Sequence, residues 1–365
     1  MIYWIWLSQL EGIGACTQKL LLQYFQTPEQ IYHAKLNELL ECNGIGKERA
    51  KQILSSHSLE KAKRILEQCV KHNIALLTCE DHKYPELSKA IPDMPILLYY
   101  KGRLIHDSTG IGIIGSRRCT DYGKEVVADS ATYLAKHQIP VISGMAKGID
   151  SYAHTACLRA GGYTVAVLGN GLDICYPSEH RSLMEQITEY GLLLSEYEPG
   201  KRPNRQHFPK RNRIISAWSQ KLLVVEAGIR SGSLITADVA WRYGREVWAV
   251  PGRLDTPESA GSNGLIAKGA SIFLKPEQLL TKIFTKDPFP QTKVPVPHKS
   301  EKMSPQTIEE KELLLMIENA SGSMPVSIEQ ITNKLRLSQE EVLEILLVLE
   351  LQDVVVIHGD KVQLL

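Results

Sequence analysis

From Gly110 to about Leu280, short β-branched and apolar runs alternate with stretches of helical period, and this restricts the possible folds more than any other feature. Strands are predicted at Ile111–Ile114, Pro140–Ser143, Thr164–Leu168, Leu192–Ser195, Leu222–Val225 and Val247–Val250. Helices fit between them near Gly123–His137, Ile149–Ala160, Ser178–Tyr190, Arg211–Ser219 and Ser233–Tyr243. Most of the strands are apolar on both sides, as strands covered by helices on two faces should be. The predicted class is α/β, with a Rossmann-like, doubly wound, mostly parallel sheet as the core.

At 365 residues the chain is too long for that core alone, and three parts are expected. The first hundred residues look helical, with apolar residues three and four apart through Lys19–Phe25 and Ala50–Leu54. Two similar phrases occur there, Leu10-Glu-Gly-Ile-Gly14 and Cys42-Asn-Gly-Ile-Gly46. They fit a helix-hairpin-helix whose glycines offer backbone amides to a DNA phosphate, and they fit a plain αα-hairpin equally well. Glu41 and Glu48 weaken the second site for an anion. Residues 286–305 carry five prolines and read as a linker. Helices near Ile308–Asn319, Ile328–Leu335 and Gln339–Leu351, then two strands turning at His358-Gly359-Asp360, read as a winged-helix module. The expected division is thus a helical, helix-hairpin-helix-like domain at 1–80, the core at 81–285, the linker, and the winged helix at 306–365.

Charge separates these parts. The formal net charge is +1, but residues 306–365 hold eleven Asp/Glu against four Lys/Arg, a balance of −7, so residues 1–305 carry +8. That split suits different partners for the two regions. No stretch approaches the roughly 18 apolar residues of a membrane span, so no membrane role is expected. The seven cysteines are scattered without a Cys-x-x-Cys pair, which fits free thiols in a reducing compartment and no zinc site. The apolar start, Met1–Leu10, lacks a cationic leader and reads as a packed helix, so the cytoplasm is the expected location.

A Gly-x-Gly-x-x-Gly pattern occurs at Gly110, Gly112 and Gly115, yet it does not read as a dinucleotide fingerprint. The fingerprint needs its first two glycines in the turn after the strand, whereas Gly112 falls inside the strand. No P-loop pattern is present, and no cofactor is expected. The places suited to anions are three loops at strand carboxyl ends: Gly115-Ser116-Arg117-Arg118, Ser143–Asp150 with Lys147 at its centre, and Ser231-Gly232-Ser233. Each joins Gly or Ser to a helix start, where unpaired amides and the helix dipole favour phosphate. Turn formation and N-capping account for the same residues singly, but three such loops on one sheet edge point to a phosphate surface.

The densest basic stretch runs from Lys201 to Arg213, with six Lys/Arg in thirteen residues and no acid. Pro209 suits the first position of a helix, which would put Lys210, Arg211 and Arg213 in the opening turn beside the positive dipole end. Cations there call for an anionic partner. Arg211 precedes the apolar Ile214, Ile215 and Trp218 by three, four and seven residues and should lean toward the sheet edge, while Arg213 points about 200° away. Phe208 could offer its ring to a base or staple the helix start. Asp150, His154 and Glu226 assemble no nucleophile–base–orienter set and no metal site, so neither catalytic nor metal residues are assigned.

Taken together these loops resemble the DNA-processing protein A (DprA/Smf) family. The matching phrases are Gly115-Ser-Arg117, Ser143-Gly-Met-Ala-Lys-Gly-Ile-Asp150 with Ala153-His154, Val167-Leu-Gly169 with Tyr176-Pro177, Phe208-Pro-Lys-Arg-Asn-Arg213, Glu226-Ala with Ser231-Gly-Ser-Leu-Ile-Thr236, Val250-Pro-Gly252 and Gly261-Ser-Asn-Gly-Leu-Ile266. The resemblance implies a core that grips single-stranded DNA, no catalytic step, dimerisation through the core, and delivery of the strand to a RecA-type recombinase in natural transformation. Residue by residue it implies DNA contacts at Gly115, Ser116, Arg117, Arg205, Phe208, Arg211, Asn212 and Arg213. Arg118, Lys147, Lys210, Ser231, Gly232 and Ser233 join them from the loop and charge reading. The expected third helix of the winged module has Glu340, Glu341, Glu344 and Glu350 and no Lys or Arg, which favours a protein partner over a duplex. The competing function is a Rossmann-like nucleotide hydrolase with Glu226 as acid–base residue, although the Pro-Gly-Gly-x-Gly-Thr turn of such enzymes is absent.

Overall fold

Nine strands form one twisted sheet whose order reverses at a single place, and that reversal decides where loops converge. The computed structural model describes residues 1–280 and, beyond them, 313, 326–335, 342, 343, 345, 346, 349, 355–358 and 361–364. The chain begins with six helices, α1 (Ile2–Ser8), α2 (Ala15–Phe25), α3 (Pro28–His33), α4 (Leu36–Glu41), α5 (Lys47–Ser55) and α6 (Glu60–Lys71). It continues through β1 (Ala75–Thr78), α7 (Glu86–Lys89), β2 (Leu97–Gly102), β3 (Gly110–Ile114), α8 (Asp121–Lys136), β4 (Val141–Ser143), α9 (Ile149–Arg159) and β5 (Thr164–Leu168). After α10 (Arg181–Tyr190) come β6 (Leu192–Ser195), α11 (His207–Trp218), β7 (Ser219–Val224), α12 (Gly232–Arg242), β8 (Glu246–Ala249), α13 (Ala260–Ala267) and β9 (Ser271–Ile272).

The sheet order is β1-β2-β6-β5-β4-β3-β7-β8-β9. Pairing is parallel from β6 through β9, while β1 with β2 and β2 with β6 are antiparallel. The six predicted core strands are all present and the class is the expected α/β, Rossmann-like one. Two strands, β1 and β2, break the purely helical reading of the first hundred residues. At four and six residues they are short, and neither Ala-Leu-Leu-Thr nor Leu-Leu-Tyr-Tyr-Lys-Gly has a two-residue alternation to set it apart from the helical spacing before it.

Alternation along the strands sorts the core into two faces. Val165 and Val167 of β5, Leu192 and Leu194 of β6 and Leu98 of β2 pack with Ile214, Ile215 and Trp218 of α11 and Ala237 and Ala240 of α12. On the other face Ile111, Ile113 and Val141 pack with Val127, Ala131 and Leu134 of α8 and Ala153 and Cys157 of α9. Further along that face Ala166, Leu168, Leu193, Leu97 and Tyr99 join Leu183 and Ile187 of α10 in one cluster with the first helices, including Ile5, Leu7, Leu21, Ile31 and Ile53. The Lys19 ammonium of α2 also donates to the carbonyls of Lys89 and Ile91, at 3.2 and 2.6 Å, and so ties the first helices to the segment before β2.

Gly12 and Gly44 turn the two early hairpins with positive φ, and Gly14 and Gly46 stand at the starts of α2 and α5. In the C-terminal part, β10 (Val326–Ser327), α14 (Ile328–Leu335), β11 (Val355–His358) and β12 (Lys361–Leu364) are described, with the strands in the order β10-β12-β11. The predicted linker, the bulk of the flanking predicted helices with their acidic residues, and Gly359-Asp360 lie outside the described residues. Among the described residues no helix is long and apolar enough to cross a membrane.

Candidate nucleic-acid interface

All three anion-type loops lie at the carboxyl ends of the parallel strands, and hydrogen bonds join them. The Gly115 carbonyl accepts from Ser233 Oγ at 2.9 Å, which links the loop after β3 to the start of α12. Ser231 caps that helix, its hydroxyl accepting from Ser233 N at 3.3 Å and donating to Ser233 Oγ at 3.0 Å. Gly232 at the helix start is exposed. The Ser116 carbonyl accepts from Ile149 N at 3.1 Å, which links the same loop to the start of α9. Gly148 makes that approach possible: its φ is +77°, and a Cβ there would run into the Ser116 carbonyl and lie 2.7 Å from that of Arg117. Within the loop, Ser116 Oγ donates to the Arg118 carbonyl at 2.6 Å and accepts from Arg118 N at 3.1 Å. The backbone is therefore fixed while the side chains of Arg117 and Arg118 stand exposed.

Helix α11 supplies the facing wall. It begins at His207, two residues before Pro209, so Pro209 is the third helical residue and not the first. A proline is tolerated there because the first N–H groups have no intrahelical acceptor. Arg211 and Arg213 consequently sit in the second turn, and the expected clash with the dipole end applies only to its weaker reach. Phe208 lies inside the helix beside Gly169, with its ring stacked on Tyr176 at a centroid separation of 5.7 Å and 25° between planes. The Arg117 guanidinium stands over the same ring at 5.9 Å and that of Arg211 at 6.0 Å. Three elements distant in sequence thus meet at one aromatic ring, with cations attracted to its π face.

The basic stretch itself divides. Arg211 leans to the sheet edge as the helical period predicts, but it is buried, 5% exposed. Its Nη1 donates to the Gly144 carbonyl at 2.6 Å and to the Val167 carbonyl, and its Nε donates to Asn212 Oδ1 at 3.1 Å. Burial lowers its pKa to about 10, with Asp150 acting in the opposite direction. Asp150 is also buried and accepts from Gly144 N at 3.1 Å and Ala146 N at 3.4 Å; burial raises its pKa and Arg211 opposes the rise. Arg213 points elsewhere, as expected, donating to Glu196 Oε1 at 2.5 Å and to the Asp93 carbonyl. Lys201 pairs with Glu198 at 3.6 Å, and Lys147 of the second loop pairs with Glu179 at 2.5 Å. Acids just upstream of the stretch therefore neutralise part of it. Arg202, Arg205 and Lys210 are exposed and have no ion pair among the described residues.

Tyr176 did not emerge from the sequence reading as a site residue. Its phrase, Tyr176-Pro177, sits in an irregular loop with no period to show where the ring points. His154 and His180 lie behind the second loop, their Nδ1 atoms bonded to Thr164 Oγ1 at 2.7 Å and to the Met145 carbonyl at 3.0 Å. Burial lowers the pKa of both, that of His154 to about 3, so they serve as neutral internal props. Among the described residues no three His, Cys, Asp or Glu converge as a metal-binding group.

A family model described as DNA recombination-mediator protein A matches residues 75–284. The protein Smf of Synechocystis is 40% identical over 286 residues, covering 77% of this chain and 72% of that protein. The DNA processing protein DprA of Streptococcus pneumoniae is 41% identical over 201 residues, covering 55% of this chain and 71% of that protein. The X-ray structure of DNA processing protein A from Streptococcus pneumoniae is similar with a TM-score of 0.68 and 31% identity, over 78% of this chain and 99% of that one. A structure of DNA processing protein A from Helicobacter pylori, concerned with its single-stranded DNA binding mode, aligns with a TM-score of 0.52 and 32% identity, over 56% of this chain and 93% of that one.

Proposed function

Because the chain belongs to the DNA recombination-mediator protein A family, we propose that it is a non-enzymatic binder of single-stranded DNA that shields incoming strands and loads a RecA-type recombinase onto them in natural transformation. One observation carries this reading: the Arg117 guanidinium stands 5.9 Å over the Phe208 ring, at a sheet edge where Arg118, Arg205 and Lys210 are exposed. A single strand offers unstacked bases as well as phosphates, and a ring flanked by cations suits both. A duplex hides its base faces. Gly115, Ser116, Gly232 and the hydroxyls of Ser231 and Ser233 supply backbone and polar contacts around the cluster, with Lys147 at its margin. Arg211, Asn212 and Arg213 act from beneath by holding the wall in place. Work in the cytoplasm and pairing of two copies through the core complete the proposal.

The test is a salt titration of single-stranded and duplex oligonucleotides on the full chain. Four exposed cations, Arg117, Arg118, Arg205 and Lys210, give an expected slope of log K against log salt of about −3, at roughly 0.7 per phosphate contact. Arg117→Glu is expected to weaken the single strand strongly and to flatten that slope. Duplex affinity above single-strand affinity, or an Arg117→Glu variant with an unchanged slope, refutes the assignment.

A further inference from the structure

In an open α/β sheet, ligands bind outside the strand carboxyl ends at the point where strand order reverses. Here the chain runs outward from β3 through β4, β5 and β6 and returns to β7 on the opposite side of β3, so the reversal lies between β3 and β7. The helix that follows β3 is the sixteen-residue α8. Its amino end, with unpaired amides and the positive end of the helix dipole, is the natural place for a phosphate in such a fold.

That place is filled from within the chain. Glu226, just past the end of β7, is 5% exposed and reaches across the reversal. Its Oε2 accepts from Thr120 N at 2.9 Å and its Oε1 from Thr120 Oγ1 at 2.5 Å. Thr120 in turn caps α8 by accepting from Gly123 N at 3.2 Å. The absence of a side chain at Gly123 is needed for the fit, since a Cβ there would lie 2.6 Å from the carboxylate. One acidic side chain thus provides the charge, the acceptors and the volume that a bound phosphate would provide.

We infer that Glu226 is a specificity-determining residue whose carboxylate occupies the phosphate position at the amino end of α8 and turns nucleotide phosphates away from that helix end. The cluster of Arg117, Phe208 and Arg211 lies to one side, over the ends of β4 and β5, where Arg211 holds the Gly144 and Val167 carbonyls. Phosphates of a strand are received there, and a free nucleotide finds the usual pocket already closed. With both oxygens accepting from Thr120, Glu226 is also poorly placed to serve as an acid–base residue.

Inorganic pyrophosphate is the probe, measured by calorimetry and thermal unfolding on the full chain. All proteins carry Arg117→Ala, so that the neighbouring cluster does not dominate the signal. Adding Glu226→Ala is expected to tighten pyrophosphate binding by at least about tenfold, through loss of a like charge at the site. Pyrophosphate should also restore part of the thermal stability lost with the native carboxylate. Glu226→Gln keeps the shape, covers the case in which the alanine variant does not fold, and should show a smaller gain in affinity above the Arg117→Ala protein. The inference is overturned if Glu226→Gln binds no better than that protein, or if a folded Glu226→Ala is neither stabilised by pyrophosphate nor tighter for it.

Discussion

Replacing Arg211 by alanine should injure the fold before it touches binding. The guanidinium is 5% exposed, donates to the carbonyls of Gly144 and Val167, and opposes the buried charge of Asp150. Removing the buried cation strips those two carbonyls of their donor and leaves the Asp150 carboxylate, bonded to the same Gly144, uncompensated, at about 3–5 kcal/mol in all. For a domain of this size roughly 2–4 °C of melting temperature corresponds to each kcal/mol, so Arg211→Ala should melt about 6–20 °C below the native protein. The companion variant Arg211→Ala/Asp150→Asn removes the stranded carboxylate but keeps an oxygen to accept from Gly144 N and Ala146 N. It should recover part of the loss, within the roughly 0.5–3 kcal/mol of coupling found for residues in one hydrogen-bond network, here joined through Gly144. Circular dichroism melts of the four proteins of that cycle decide the matter. A single variant within about 3 °C of native, or a double variant whose losses simply add, would show that the pair is not the brace described here.

Two further outcomes follow from the same region. Gly148→Ala should cost about 1–3 kcal/mol by denaturant unfolding, because alanine disfavours a φ of +77° and its methyl meets the Ser116 and Arg117 carbonyls. The same variant should weaken oligonucleotide binding by displacing Arg117, and unchanged anisotropy titrations would refute the link. Stability should fall on acidification below about pH 6.5, at up to about 1.4 kcal/mol per pH unit from His154 alone. The sign follows because His154 titrates at about 3 in the folded chain and at its ordinary value when unfolded, so only the unfolded state takes up the proton in between. His180 is shifted the same way, and a His154→Gln variant with an undiminished slope would refute the assignment.

The core was legible because buried parallel strands are near-continuous apolar runs bounded by turn residues, and six of them were placed within a few residues. The prediction for Gly112 also held, since the residue lies within β3. Helix α11 was less legible at its start. Proline marks an early helical position without distinguishing the first from the third, and His207 and Phe208 carry no capping signal. The partners of the basic stretch were hidden for a different reason. Glu196 and Glu198 stand just outside the window that drew attention, and Asp150 reaches Arg211 only through tertiary structure. Sequence period could say which way Arg211 leans, but not that its Nη1 would donate to two carbonyls.

The family match begins at residue 75, yet the apolar cluster takes no notice of that border. Side chains of the first helices and of β2, β5, β6 and α10 fill one continuous space, and the Lys19 ammonium bolts across it. A protein trimmed to the matched segment would lose the helical half of that cluster, whose other half holds Leu97, Tyr99, Leu168, Leu193 and Ile187. Such a fragment should be prone to self-association. In this chain the first seventy residues are less an appendage than a lid, and any module exchanged for them would have to bring an apolar underside of the same shape.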